Sequence, residues 1–483
     1  MTARVASSPY MGAPPGKRSL RRDIVCSTSD GTAYCVMLGV GETYLPAFVL
    51  ALGLGQVFSG LIATLPMLAG ALLQLVTPLG VRAMRSYRSW IVLCATLQSL
   101  TFLALAAAAV LDAAPPWAIF VAATMYWATG LACGPAWSTW ISLMIPPRIR
   151  AKYFAQRTRY LQVGVLVGIL LAGWVLSSFA GSDYSSKLEP GRLNSSSIGE
   201  IGGLRQTMLR GFGVIFALAG IARGVCTVLL ACQSEPRPLP HEHAAVSTQE
   251  LFGRVRRRAD GKLLAYAAAM AVATQIAQPF FNPYMRTHLE LGEDRCAILL
   301  AASFLGRIIA LPWLGRVAHR SGGLRVLMLG GLTLVPAAGL WAISGNFWFL
   351  IVTQLIVGAA WAAHELGVFL LFLETMPERE RTSVLTKYNV LNSFCIATGS
   401  VLGGWLIEAN GRTAGAYIVL FVVSSAARAL ALVLISRIRD PVPHPPDLVL
   451  EPLSVRPDAG SVDQPILASI KHSDDSAGEP PNR

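Results

Sequence analysis

Apolar runs of about 20 residues recur along the whole chain. They fall near 28–51, 57–76, 90–111, 117–143, 160–180, 208–231, 262–285, 296–317, 324–344, 347–373, 387–408 and 414–436. Each is long enough to cross about 30 Å of hydrocarbon. At that depth no water pairs with the backbone, so a crossing segment must be a helix or part of a closed barrel. The stretch Leu103 to Leu111 is rich in Ala and Leu and lacks the alternation of a barrel strand. The pattern predicts an all-α membrane protein with twelve transmembrane helices. Polar stretches flank and divide the spans. Residues 1–25 are expected to be a flexible basic arm and 232–260 a linker. Residues 440–483, rich in Pro, Ser and Asp, are expected to be a tail too polar to pack.

The spans fall into two related groups of six. Pro146, Arg148, Arg150, Gly168, Gly173 and Trp174 recur 231 residues later as Pro377, Arg379, Arg381, Gly399, Gly404 and Trp405. Phe216, Ala222, Arg223 and Pro236 recur 205 residues later as Phe421, Ala427, Arg428 and Pro441. The offset shrinks by 26, so the first half carries an insertion of that length, and the polar segment 181–206 fits it. The halves are then 26–231 and 261–439. A parallel repeat of two multi-helix units marks one large transporter class.

Composition agrees with burial in lipid. Hydrophobic residues make up 53% and charged residues 14% of the 483, and mean hydropathy is +0.52. A net charge of +13 could suggest nucleic acid, but its placement argues against that. With the N-terminus inside, 27 Lys and Arg lie in inner segments and 7 in outer loops. The positive-inside rule then puts both termini in the cytoplasm. The basic run Arg254 to Arg258 is first a topology anchor and second a contact for anionic lipid. The eight Cys lie in or beside apolar spans, none in a Cys-x-x-Cys pair, and read as small buried side chains. The first 25 residues lack the apolar core of a cleavable signal peptide.

The turn between spans 8 and 9 reads Gly315-Arg316-Val317-Ala318-His319-Arg320-Ser321-Gly322-Gly323-Leu324-Arg325. It resembles the Gly-x-x-x-Asp-Arg-x-Gly-Arg-Arg loop of the major facilitator superfamily, with His319 in place of the Asp. Its counterpart from Gly80 to Arg88 keeps only the basic residues. In span 11, Gly399-Ser400-Val401-Leu402-Gly403-Gly404 is similar to the Gly-Pro-x-x-Gly-Gly motif of drug–proton antiporters, without its Pro. The run Gly134-Pro135-Ala136-Trp137-Ser138-Thr139-Trp140 looks like a bacterial subgroup of the superfamily. The resemblance covers about residues 24–440. It implies a central cavity lined by spans 1, 4, 7 and 10, in a bacterial cytoplasmic (inner) membrane.

Charges retained inside a bilayer cost about 2.5–3.5 kcal/mol each and usually face a cavity or a partner. Glu42 lies within span 1, Arg307 within span 8, and His364 and Glu365 in span 10. Gln275, Gln278 and Asn282 have the i, i+3, i+7 spacing of one face of span 7. Tyr126, Gly130, Cys133 and Trp137 share a face of span 4, as do Trp361, His364 and Glu365 in span 10. Glu42 and Glu365 read as cavity lining, with an ion pair such as Arg307 to Glu365 as the structural alternative. The aromatic groups of spans 4 and 10 read first as packing, and the amides of span 7 could equally be interhelical hydrogen bonds. Arg223 and Arg428, at repeat-equivalent positions, read as structural. Arg148, Arg150, Arg379 and Arg381, with Gly315, Arg320 and Gly322, are expected to govern gating at the cytoplasmic turns.

Other chemistries find no support. His364-Glu365-Leu366-Gly367-Val368 lacks the second His of a zinc protease, and Gly16-Lys17-Arg18-Ser19 lacks the upstream Gly of a P-loop. No Gly-x-Ser-x-Gly appears. Neither enzyme activity, cofactor nor metal is expected. The sequence predicts a secondary active transporter, a monomer working by alternating access on a small solute, with a coupling proton carried by Glu42, Glu365 or His364. Export of an amphipathic compound is favoured. Uptake of a sugar-like or other polar nutrient, and a sensor or scaffold that transports nothing, are the alternatives.

Overall fold

Twelve helices of membrane-spanning length and hydropathy cross the protein in a computed structural model that describes residues 17–111, 115–180, 197–235, 246–411 and 413–435. The first half holds α1 (Lys17–Val40, continuing through a 3-10 turn at Glu42–Tyr44 into Leu45–Ala51), α2 (Gly55–Leu73, continuing into Thr77–Met84) and α3 (Tyr87–Leu111). It continues with α4 (Pro116–Met144), α5 (Pro147–Ala180) and α6 (Ser197–Ala231). The second half holds α7 (Ala259–Gln275, then a 3-10 turn at Gln278–Phe280 and Phe281–Thr287), α8 (Glu293–Ser321) and α9 (Gly323–Ala337). α10 (Phe347–Thr375), α11 (Glu378–Ala409) and α12 (Ala414–Val433) complete it. Every apolar run of the sequence lies within or overlaps one of these helices.

The flanks differ from expectation in three places. Residues 17–25 are not a flexible arm but the first turns of α1. Asp23, only 4% exposed, accepts from the Ser234 main-chain N–H at 3.1 Å and from its hydroxyl, which ties the start of α1 to the end of α6. The linker holds a helix that its composition did not announce, Thr248–Arg257, whose N-cap Ser247 accepts from the Glu250 N–H at 3.1 Å. Its Arg254 reaches Glu380 at 2.7 Å and Asp260 at 3.3 Å, which docks this linker helix on the second half. Residues 197–206 of the insertion begin α6. The rest of the insertion, the arm before residue 17, linker residues 236–245 and the tail from 436 lie outside the described residues.

The internal repeat is visible in hydrogen bonds. Arg150 donates to the carbonyls of Ser142 (3.0 Å) and Ile145 (3.3 Å). Arg381 donates to those of Leu373 (2.9 Å) and Met376 (3.0 Å), the same places in the second half. The carbonyls ending a helix lack intrahelical partners, and each guanidinium satisfies two of them. α1 and α7 break alike, each in a three-residue 3-10 turn followed by a seven-residue helix. Glu42 begins the first turn and Gln278 the second.

The basic turns share one side of the bundle, and there the halves meet. One apolar cluster joins Trp140, Tyr153 and Phe154 to Leu311, Leu366 and Leu370. Thr139 and Thr382 share a hydroxyl bond of 2.8 Å, and Arg381 also donates to the Ser142 hydroxyl of the other half. A Cβ on Gly315 would lie 2.5 Å from that of Ala155, so α8 touches α5 closely only because residue 315 is glycine. Toward the opposite side each half keeps its own core: Phe48, Phe102, Phe212 and Phe216 in the first, Tyr284, Trp341, Tyr417 and Phe421 in the second.

Candidate functional site

A cavity of about 430 Å³ lies in the second half between α7, α10 and α11. Thr274, Gln275 and Gln278 line it from α7, Trp361, His364, Glu365, Phe369 and Phe372 from α10, and Tyr388 and Asn392 from α11. Small residues permit this arrangement. A Cβ on Gly399 would lie 2.5 Å from the Val272 carbonyl, and one on Gly403 would lie 2.1 Å from that of Ile276. The glycine motif of α11 therefore presses it against the α7 backbone beside Gln275. Gly168 packs likewise: a Cβ there would lie 2.6 Å from the Val36 carbonyl of α1.

Among the described residues, neither ring nitrogen of the buried His364 has a hydrogen-bond partner, and neither has the Tyr266 hydroxyl. Their rings lie 5.8 Å apart, and Trp361 is also 5.8 Å from the imidazole. A buried polar group without a partner costs about 1–3 kcal/mol, so the imidazole is poised to bond what enters the cavity. Glu365 is different. Its two oxygens each accept from Arg307 Nη1 at 2.9 Å, so the ion pair foreseen as the structural alternative forms. Arg307 also lies 5.9 Å over the Trp361 ring.

Other expected members lie elsewhere. Asn282 is exposed and accepts from Arg286 Nε at 3.0 Å. Its spacing failed to place it with Gln275 and Gln278 because the 3-10 turn at Gln278–Phe280, with Pro279 inside it, interrupts the helical period. Glu42 accepts a short hydrogen bond from the buried Tyr126 hydroxyl, within the first half. The shared face of α4 also turns toward its own half: Gln98 Nε2 lies 2.5 Å from where a Gly130 Cβ would stand, and Cys133 Sγ accepts from Arg223 at 3.6 Å. Trp137 lies in the seam between the halves, its ring 6.1 Å from that of Phe369.

Arg223 and Arg428 are each 3% exposed, which excludes snorkelling to water. Arg223 donates to Cys226 Sγ at 2.9 Å and lies 4.8 Å over the Tyr34 ring; Arg428 donates to the Leu334 carbonyl at 3.0 Å. No ion pair to either is present among the described residues. At the turns, Arg148, Arg379 and Arg320 are exposed, whereas Gly322 ends α8 at φ +82°, a left-handed conformation that favours glycine.

Sequence reasoning missed Asp30 and Arg157, paired at 3.2 Å inside the first half, and Tyr388 and Asn392 in the cavity. Asp30 stands at the edge of the first apolar run and Arg157 just ahead of the fifth, so each passes for a flanking charge. Tyr388 and Asn392 carry an i, i+4 spacing that periodicity could have revealed.

Solved structures share this architecture. A variant of the E. coli fucose:proton symporter FucP has a TM-score of 0.68 at 13% identity, over 88% of this chain and 100% of that one. A bacterial homologue of the iron transporter ferroportin in an outward-facing state gives 0.64 at 14%, over 87% and 99%. The human organic anion transporter MFSD10 gives 0.62 at 14%, over 88% and 100%. At such identities the likeness establishes the fold alone. No curated protein matches in sequence. The sequence profile of the Major Facilitator Superfamily matches residues 263–471, and the internal repeat relates the first half to the second. Residues 263–471 are thus similar to the Major Facilitator Superfamily, and the whole chain has the fold of its solved members. Its twelve apolar helices of spanning length make it a multi-pass membrane protein with a transporter fold, and the cavity lies in the half that the family profile matches.

Proposed function

We propose that the protein is a proton-coupled secondary transporter that exports a small amphipathic solute by alternating access, as a monomer in a bacterial cytoplasmic membrane. The cavity carries this proposal. Its aromatic wall of Trp361, Phe369, Phe372 and Tyr388 suits an apolar ring or chain, and His364, Gln275, Gln278 and Asn392 suit a few hydrogen-bonding groups. The halves meet on the basic side and keep separate cores on the other, which supports an outward-open state. The amides also favour a second substrate class, a polar nutrient of the sugar kind taken up from outside.

Glu42 is the best-supported proton carrier. Glu365 already has Arg307 as counter-ion, and the ring neighbours of His364 are Tyr266 and Trp361 rather than carboxylates. Glu42 is held by a phenol, and its repeat counterpart Gln278 is an amide that no proton can switch.

Two measurements check this proposal. Thermal-shift screening against a solute library is expected to yield a stabilising ligand that His364→Leu binds about tenfold more weakly, one lost hydrogen bond being worth about 1–1.5 kcal/mol. Unchanged affinity would remove His364 from the site. For orientation, Gln249→Cys on the linker helix is expected to resist an impermeant maleimide in intact cells, while Asp294→Cys at the start of α8 reacts. The opposite pattern would invert the topology.

A further inference from the structure

Inside the first half, behind the inner seam, lies a charge pair that no gating motif of the sequence includes. Arg157 of α5 is 9% exposed and Asp30 of α1 is 2% exposed. Arg157 Nη2 donates to Asp30 Oδ1 at 3.2 Å, and its Nε donates to the Ser27 carbonyl at 3.0 Å. The other Asp30 oxygen accepts from Gln233 Nε2, past the end of α6. α1 thus holds the guanidinium at two points, and Gln233 holds the carboxylate that does so.

That guanidinium lies 4.3 Å over the Trp137 ring of α4. A Cβ on Gly31 would come within 2.4 Å of Arg157 Nη2, so the absent side chain leaves room for this placement. Trp137 in turn lies 6.1 Å from Phe369 of α10, in the second half, with the planes 31° apart. Phe154 packs edge-on against the same Phe369 at 4.7 Å. The path from carboxylate to guanidinium to indole therefore ends at an aromatic contact between halves, beside the cavity that Phe369 also lines.

We propose that Arg157, oriented by Asp30, is the positioning residue that holds Trp137 against Phe369 and so sets the balance between closed and open states of the inner gate. The proposal rests on the alternating-access reading but not on any substrate or on Glu42 as proton carrier. A fixed cation on an indole face confines the ring, and a guanidinium does so by plane-to-plane contact that an ammonium lacks. Losing a contact present only in the closed state raises the open population by the free energy that contact supplied.

Spin labels at Lys152→Cys and His319→Cys, exposed positions on the inner ends of α5 and α8, read the separation of the halves in purified full-length protein without ligand. The Arg157→Lys variant keeps the charge and can keep the pair with Asp30. It is expected to retain a near-wild-type melting temperature while its open-to-closed ratio rises about tenfold. Asp30→Asn and Gly31→Ala, which disturb the orientation of Arg157 from either side, are expected to shift the ratio in the same direction. Trp137→Ala should make the Arg157→Lys effect disappear, since the two would act through one contact. Distances in Arg157→Lys and Asp30→Asn that match wild type would overturn the proposal, as would an Arg157→Lys shift of full size in the Trp137→Ala background. Labels that never separate in any variant or with any solute would instead count against alternating access itself.

Discussion

Glu42→Gln is expected to bring solute accumulation down to simple equilibration while counterflow exchange continues. Glu42 sits in the break of α1, hydrogen-bonded by Tyr126 and close to the apolar core around Phe102 and Phe216. A carboxylate there must be protonated or tightly partnered, because a bare charge in that setting is costly. Glutamine imitates the protonated acid in shape and can still accept from the phenol. The variant should fold, bind and exchange solute, yet find no use for a proton gradient. The second half already carries this amide state at Gln278. Flux in reconstituted vesicles with and without an imposed pH difference checks the prediction. Full accumulation by a stable Glu42→Gln protein would move the carrier role to His364 or Glu365. Glu42 does not serve as the ion-pair partner of Arg307, which pairs with Glu365 instead.

Arg381→Ala is expected to cost about 3 kcal/mol, by stranding the carbonyls of Leu373 and Met376, and to favour inner opening by removing the bond to the Ser142 hydroxyl, which keeps its bond to the Thr139 carbonyl. Arg150→Ala strands two carbonyls of its own half and should lower stability without moving the gate. The asymmetry follows from one hydrogen bond: among the described residues Arg381 alone of the pair donates across the seam, to Ser142, whereas Arg150 feels Glu374 and Glu378 of the other half only through space. Melting temperature and label separation, measured on both variants, check the two effects apart. Equal gate shifts in both would mean that the basic turns act alike and that the Ser142 contact carries nothing.

The helices were legible because a bilayer forces their length and composition. Their ends were not. Apolarity placed the start of the fifth span at 160, but α5 begins at Pro147, its first turns carrying the basic residues of the turn. The repeat was legible in Pro, Gly, Arg and Trp, residues tied to backbone shape or to caps, and Arg150 and Arg381 bear this out in their matching carbonyls. The site was legible in part. His364, Trp361, Gln275 and Gln278 share the cavity as their spacing suggested. Asn282 does not, because spacing assumes an unbroken helix. Glu42 bonds a side chain 84 positions away on another helix, a pairing that helical periodicity does not encode. Asp30 shows the limit most clearly: at the edge of an apolar run it resembles a solvated flank, and only packing reveals that it is buried.

Solute is expected to cross only when the halves separate at the seam where Thr139 meets Thr382. Replacing both with Cys and measuring flux of the stabilising solute in reconstituted vesicles, before and after oxidative cross-linking, tests this most directly. Cross-linking is expected to stop flux and reduction to restore it. Undiminished flux through fully cross-linked protein would contradict the account.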